Sequence, residues 1–129
     1  MIKILKETRT IAVVGMSRKP DRAGFYVPQY LQGAGYRIIP VNPNLNDDVL
    51  GERVYDTLSD VPDPVDLVLL FQRSENVPPF VTEAIAIGAK AVWMQQGIRN
   101  EKSAAEAEAA GLDVVQDACM MVEHRRHML

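Results

Sequence analysis

Residues 11–24 read Ile-Ala-Val-Val-Gly-Met-Ser-Arg-Lys-Pro-Asp-Arg-Ala-Gly and carry the clearest fold signal in the chain. The first four residues are all apolar, and a strand of this kind is covered on both faces, as the central strands of parallel sheets are. Gly15 ends the strand, and a polar loop leads from it to a helix that we predict over residues 24–32. This order of strand, loop and helix indicates the start of a βαβ unit.

The rest of the chain repeats this alternation of strands and helices. Five further strands are predicted over residues 37–41, 52–55, 65–71, 89–94 and 112–115, of which residues 52–55 form a short edge strand. Repeated βαβ units with right-handed crossovers give a mainly parallel sheet with helices on both faces. We therefore predict a three-layer α/β fold of the Rossmann type, with six strands in the order 3-2-1-4-5-6.

Side chains at the helix ends support this division of the chain. Asn100 is predicted to cap an alanine-rich helix, and Thr57 with Asp60 three residues later resembles a capping box. A short amphipathic helix is predicted over residues 1–8 and a last helix within residues 119–129.

Length and composition limit the number of domains and the classes of partner. A chain of 129 residues with 47% hydrophobic residues fits one domain, over residues 1–129. With 14 basic and 17 acidic residues, the net charge of -3 gives no overall attraction to nucleic acid or to an anionic membrane. No apolar run approaches the roughly 20 residues of a membrane span, and Cys119 is the only cysteine. We expect a cytoplasmic protein. Any site for an anion must come from a local group of basic residues, because the net charge is negative.

The loop after the first strand is the candidate anion site. It combines Gly15 and Ser17 with three cations, Arg18, Lys19 and Arg22, just before a helix begins. Free amides at a helix start and nearby cations favour a phosphate, and open parallel sheets bind ligands at such loops. The alternative is that these cations only solvate a surface loop. In an extended loop Arg18 would point away from its neighbours, so we expect it to contribute less to binding.

The second strand bears on which nucleotide this loop would hold. A nicotinamide dinucleotide usually requires the pattern Gly-x-Gly-x-x-Gly and an acidic residue about 20 positions later. Neither is present, because Met16 and Ser17 follow Gly15 and the second strand ends in Val41 and Asn42. The absence of both features disfavours NAD as the ligand. A nucleotide that carries more phosphate charge is still compatible with this loop.

Four segments together resemble a known family across nearly the whole chain. They are residues 11–20, residues 39–43 with Leu50 and Gly51, residues 84–90, and residues 122–125. The chain resembles the small stand-alone CoA-binding domain proteins, which are related to the amino-terminal CoA-binding domain of the succinyl-CoA synthetase alpha subunit.

The resemblance implies that coenzyme A is the ligand and assigns residues to its parts. Residues that would hold the phosphates are Gly15, Ser17, Lys19 and Arg22. Residues that would border the adenosine are Val41, Asn42 and Pro43. Residues that would flank the nucleotide are Phe71, Arg73 and Val77, and those toward the pantetheine arm are Gln95 and Gly97. Core packing is the alternative for Phe71 and Val77, and a solvated strand end is the alternative for Gln95.

The chain offers no arrangement that predicts catalysis. In the synthetase a histidine from a later domain reacts, whereas His124 and His127 are expected at a surface helix end, with no nucleophile and base at a suitable spacing. Cys119 is expected to be a small buried hydrophobe, with a thiol–disulfide role toward CoA as a minor alternative, and no metal spacing is present. We therefore predict non-catalytic binding of CoA or an acyl-CoA, for sensing, sequestration or presentation to a partner protein. The alternative is an enzyme, or an enzyme subunit, that uses another nucleotide such as NAD.

Overall fold

Five parallel strands form the sheet in a computed structural model that describes residues 1–129. The strands are β1 (Thr10–Val14), β2 (Arg37–Val41), β3 (Leu67–Leu70), β4 (Ala91–Met94) and β5 (Asp113–Val115). The helices are α1 (Ile2–Glu7), α2 (Ala23–Gly33), α3 (Val77–Ala86), α4 (Glu101–Ala109) and α5 (Met120–Met128), with 3₁₀ turns at Leu58–Asp60 and Ser74–Asn76. No helix has the length and apolar composition that crossing a bilayer requires.

The register of the strands brings their carboxyl ends to one edge. Val14 pairs with Val41 of β2 and with Leu70 of β3, and Leu70 pairs in turn with Met94 of β4. The loops that follow these four strands therefore begin side by side. In parallel sheets this edge is where ligands bind.

The prediction of six strands in the order 3-2-1-4-5-6 is wrong, because the sheet has five strands in the order β2-β1-β3-β4-β5. Residues 52–55 lie beside β2 as predicted, but only Tyr55 bridges to it, opposite Val41. Leu50 and Gly51 both have positive φ and turn the chain just before this segment. One bridging residue does not make a strand, and the other five strands keep the predicted order.

The two faces of the sheet bury separate sets of apolar side chains. Ile11 and Val13 pack in a cluster with Trp93 and with residues of α1, α2 and α5. Ala12 and Val14 pack in the other cluster, with residues of α3 and α4. Because both faces of β1 are covered, its four buried positions, residues 11–14, are all apolar.

One of the two predicted helix caps is confirmed. The side chain of Asn100 accepts a hydrogen bond from the backbone N–H of Ser103 at 3.0 Å and caps α4. Thr57 makes no capping hydrogen bond, so the predicted capping box is wrong. Instead Glu83 of α3 accepts hydrogen bonds from the backbone N–H of Leu58 and from the hydroxyl of Ser59.

Candidate functional site

A cavity of about 540 Å³ opens at the carboxyl ends of β1, β3 and β4. Three loops and the start of α2 line it, through Gly15, Ser17, Lys19, Arg22, Ala23, Gly24, Phe71, Gln72, Arg73, Gln95, Gln96 and Ile98. The cavity thus lies at the sheet edge where the sequence predicts a ligand.

Two glycines allow the loops around this cavity to approach one another closely. Gly15 has φ +87°, its N–H donates to the carbonyl of Val41, and an added Cβ would lie 2.4 Å from the carbonyl oxygen of Phe71. Gly24 packs against the same turn, because a Cβ there would lie 3.0 Å from the Gly15 oxygen. The N–H of Ser17 donates to the carbonyl of Gly24 and closes the loop. The start of α2 is therefore held against the end of β1.

The first turn of α2 presents unused hydrogen-bond donors at the cavity. The backbone N–H groups of Ala23 and Gly24 have no acceptor within the chain, as expected for the first residues of a helix without a side-chain cap. The hydroxyl of Ser17 accepts from the N–H of Lys19 at 3.1 Å and shapes the loop before the helix. Donors at a helix start, together with the helix dipole, favour an anion.

The charges that face the cavity are all positive. Lys19, Arg22 and Arg73 line it and none of them forms an ion pair, while no carboxylate lines it. Arg18 is outside the lining, because its guanidinium donates to the backbone oxygen of Asp48 at 2.7 Å and to that of Asp47. These two hydrogen bonds give a structural reason to expect that Arg18 contributes less to ligand binding than Lys19 and Arg22 do.

The cavity brings together seven of the twelve residues assigned from the sequence. They are Gly15, Ser17, Lys19, Arg22, Phe71, Arg73 and Gln95. The residues outside its lining are Val41, Asn42, Pro43, Val77 and Gly97.

Two of the residues outside the lining have structural roles. Val77 is fully buried among residues of the core, so the structure favours core packing over contact with a nucleotide. Asn42 uses its side chain to join two loops, since Nδ2 donates to the oxygen of Met16 at 2.8 Å and Oδ1 accepts from the N–H of Asn44. Asn42 therefore shapes the site without lining it.

Five lining residues were not assigned from the sequence, namely Ala23, Gly24, Gln72, Gln96 and Ile98. A signal was present for three of them. Gln72 and Gln96 are polar residues just after buried strands, and Gly24 is a glycine in the first turn of a helix, where it permits close packing against a strand.

Gln95 is almost completely buried, which excludes the alternative of a solvated strand end. Gln95 is 4% exposed, and its Oε1 accepts a hydrogen bond from the N–H of Met120 at 3.3 Å. Its Nε2 has no acceptor within the chain, yet is not sealed off from solvent. Gln95 is thus a buried residue that also lines the cavity.

His124 is buried, contrary to the expected position at a surface helix end. It is 7% exposed, its Nδ1 lies 2.8 Å from the hydroxyl of Tyr30, and its ring meets those of Tyr30 and Tyr36 edge-on. His127 lies 3.2 Å from the carboxylate of Glu123. Neither histidine lines the cavity.

Comparison with known families places the chain in one group of proteins. A family model described as a CoA binding domain matches residues 9–125. The chain belongs to the CoA-binding domain family. The resemblance drawn from the sequence motifs is thereby confirmed.

Relatives of this CoA-binding domain include both short chains and parts of long ones. An uncharacterized protein of Bacillus subtilis, YneT, is 39% identical over 95% of this chain and 90% of its own. An ADP-forming acetate–CoA ligase of Archaeoglobus fulgidus is 32% identical over 84% of this chain, but over only 16% of its own. A solved structure from Thermus thermophilus has a TM-score of 0.94 at 37% identity and covers 98% of this CoA-binding domain and 95% of its own chain.

Proposed function

We propose that this CoA-binding domain binds coenzyme A or an acyl-CoA in the cavity at the sheet edge and carries out no reaction itself. The observation that supports this most strongly is the set of three unpaired cations, Lys19, Arg22 and Arg73, around a cavity without carboxylates. Uncompensated positive charge at a helix start is suited to a ligand with several phosphates.

The structure suggests which groups would meet the phosphates. The free amides of Ala23 and Gly24 and the side chains of Lys19 and Arg22 come from one loop and the helix that follows it. Together they would hold the diphosphate, with the backbone close because Gly15 has no side chain. Arg73 approaches from the loop after β3 and would neutralise a further phosphate oxygen.

The residues of the cavity support a binding role over a catalytic one. The lining contains no histidine, carboxylate or thiol, and its single hydroxyl, on Ser17, accepts a bond from a backbone N–H rather than facing a base. Nucleophilic catalysis needs such a base within hydrogen-bond reach. We propose that the domain senses, sequesters or presents its ligand, the last to a partner protein.

The alternative function is that of an enzyme subunit. It is favoured by the likeness to a ligase whose name includes CoA, of which this chain matches only a small part. NAD as the nucleotide is disfavoured, because Asn42 follows β2 at the position where a carboxylate would hold the ribose. The side chain of Asn42 is also already bound to Met16 and Asn44.

Calorimetric titrations and melting curves with CoA and with NAD test the proposal. We expect CoA to bind and to stabilise the fold by about 2.7 kcal/mol at a hundredfold excess over its dissociation constant. We expect NAD to bind more weakly and to stabilise less. Equal or greater stabilisation by NAD would overturn the assignment to CoA.

A further inference from the structure

The three unpaired cations of the cavity come from the loops of two neighbouring strands. Lys19 and Arg22 lie in the loop after β1, beside the free amides at the start of α2, whereas Arg73 lies in the loop after β3. The two loops meet closely, because an added Cβ on Gly15 would lie 2.4 Å from the carbonyl oxygen of Phe71. The cavity therefore presents positive charge from two sides.

Hydrogen bonds fix the backbone around Arg73 but leave its side chain without an ionic partner. The N–H of Asn76 donates to the carbonyl of Arg73 at 2.8 Å, within a 3₁₀ turn. Ser74 ties the same turn to the loop after β4, since its hydroxyl accepts from the N–H of Arg99 at 3.0 Å and its carbonyl accepts from Asn100 at 3.1 Å. The guanidinium of Arg73 forms no ion pair within the chain. Its charge is thus held on a fixed backbone and is open to a ligand.

The two other arginines in the loops that border the cavity are already engaged. Arg18 donates to backbone oxygens of residues 47 and 48, and Arg99 pairs with Glu101 at 2.8 Å. The carboxylates nearest in sequence to the unpaired cations are Asp21 and Glu75, and neither lines the cavity or pairs with them. The protein therefore does not neutralise the positive charge of the cavity itself.

This positive charge exceeds what a diphosphate alone would neutralise. Three side-chain cations and the start of α2, which adds about half a charge, would face a diphosphate bridge whose two phosphates each carry one negative charge. The surplus of about one and a half charges equals the charge of a phosphate monoester at neutral pH. CoA carries such a monoester on the 3′ oxygen of its ribose, whereas dephospho-CoA and NAD do not. The charge of the cavity therefore matches CoA better than either of these.

Arg73 is the cation placed to meet a group beside the diphosphate. Its strand, β3, is next to β1, and neighbouring strands lie about 4.8 Å apart. On the other side of β1, Asn42 and Pro43 follow β2 and do not line the cavity. In CoA the ribose that bears the 3′-phosphate is directly joined to the diphosphate. A guanidinium also binds a phosphate through two parallel hydrogen bonds, which a lysine cannot do.

We propose that Arg73 binds the 3′-phosphate of CoA and makes the cavity selective for 3′-phosphorylated adenine nucleotides. This assignment rests on the proposed function, since the start of α2 must hold the diphosphate. Arg73 is then a specificity-determining residue, whereas Lys19 and Arg22 bind a group that both classes of nucleotide share. Loss of Arg73 should therefore affect only the 3′-phosphorylated class.

Calorimetric titration with CoA and with dephospho-CoA, which lacks only the 3′-phosphate, tests this selectivity. We expect the wild-type protein to bind CoA about ten- to a hundredfold more tightly, the factor for hydrogen bonds to a charged group. Arg73→Gln should weaken CoA binding by that factor and leave dephospho-CoA binding unchanged, so that the two affinities become equal. Lys19→Ala should weaken the binding of both ligands by a similar factor.

Arg99→Gln is the matched control for the loss of an arginine near the cavity. Arg99 pairs with Glu101 and does not line the cavity, so this variant should keep both wild-type affinities. Unchanged binding of dephospho-CoA by Arg73→Gln would also show that the variant is folded and that its diphosphate site is intact.

Three results would overturn the role of Arg73. They are equal wild-type affinities for the two ligands, equal weakening of both ligands by Arg73→Gln, and selectivity for CoA that persists in Arg73→Gln. The wild-type titrations separate this proposal from the proposed function. If both ligands bind with equal affinity, only the selectivity is excluded; if neither ligand binds, the proposed function itself fails.

Discussion

A methyl group on Cα of Gly15 would lie 2.4 Å from the backbone carbonyl oxygen of Phe71, a distance that a real side chain does not adopt. The positive φ of Gly15 adds strain for any other residue. We predict that Gly15→Ala lowers the free energy of unfolding by about 2 to 3 kcal/mol, because backbone of β1 or β3 must move. Urea unfolding measures the effect.

Gly33 is the matched control for this substitution. It ends α2 with negative φ, and no atom lies within 4 Å of where its Cβ would be. Gly33→Ala should leave stability unchanged or raise it by up to about 1 kcal/mol, because alanine favours a helix. Equal losses in the two variants would contradict the close approach at Gly15.

The unpaired cations of the cavity give the second prediction. Lys19→Ala and Arg22→Ala should each weaken CoA binding by about 1.5 to 3 kcal/mol, the range for hydrogen bonds to charged groups. Unfolding free energies should hardly change, because neither side chain has a partner within the protein. Calorimetric titration gives the affinities.

Arg18 provides the internal comparison, because its guanidinium is already bound to the backbone of Asp47 and Asp48. Arg18→Ala should reduce CoA affinity less than either of the other two substitutions does. The phosphate assignment fails if Lys19 and Arg22 are both dispensable, or if Arg18 has the largest effect.

The cap of α4 gives a prediction about stability alone. Asn100→Ala should lower the free energy of unfolding by about 1 to 2 kcal/mol, since the side chain caps the N–H of Ser103 and also donates to the carbonyl of Ser74. Thr57→Ala, at a position with no capping bond, should have little effect. A comparable loss in the two variants would show that hydrogen bonding at Asn100 is not the cause.

Tyr36 is expected to make the free energy of unfolding fall as the pH rises into the alkaline range. Burial, and to a smaller extent Tyr30, raises the pKa of its hydroxyl above the usual 10.0, and the neutral hydroxyl donates to the carbonyl of Leu5 at 2.6 Å. A raised pKa in the folded protein means that the unfolded chain loses this proton first. The contribution is therefore complete below pH 10 and is lost as pH rises from there through the raised pKa.

Melting temperatures between about pH 8 and 11, a range around the ordinary tyrosine pKa, test this dependence. Tyr36→Phe should flatten the alkaline decline and cost about 0.5 to 1.5 kcal/mol at neutral pH, the value of one hydrogen bond. Tyr26→Phe is the control, because Tyr26 is 40% exposed, and it should keep the wild-type profile. An unchanged decline in Tyr36→Phe would assign it to another group.

Local patterns predicted the elements that depend on local chemistry. The apolar run at residues 11–14, the strand at residues 37–41 and the cap at Asn100 all follow from neighbouring residues, and the structure contains each. The predicted edge strand at residues 52–55 is absent from the sheet, and the cause lies just before it in the chain. Apolar and polar residues fit a strand there, but the left-handed turn at Leu50 leaves only one residue in register with β2.

The candidate site likewise has features that neighbouring residues predict and features that depend on contacts between distant residues. The loop from Gly15 to Arg22 was predicted because its cations and its glycine are adjacent in sequence. The bond between Asn42 and Met16 depends on which strands are neighbours, and the burial of His124 depends on how α5 crosses α2. Such contacts join residues far apart in sequence, and no periodicity or spacing in either segment reveals them.

Trp93, whose Nε1–H donates to the carbonyl of Ala118, is the only tryptophan of the chain. The whole tryptophan emission therefore comes from one residue, which is bonded to the short segment between β5 and α5. Opening of that segment would break the indole hydrogen bond and admit water, and the emission maximum would move to longer wavelength. The local state of the segment could thus be followed optically in the unmodified protein, with no attached dye.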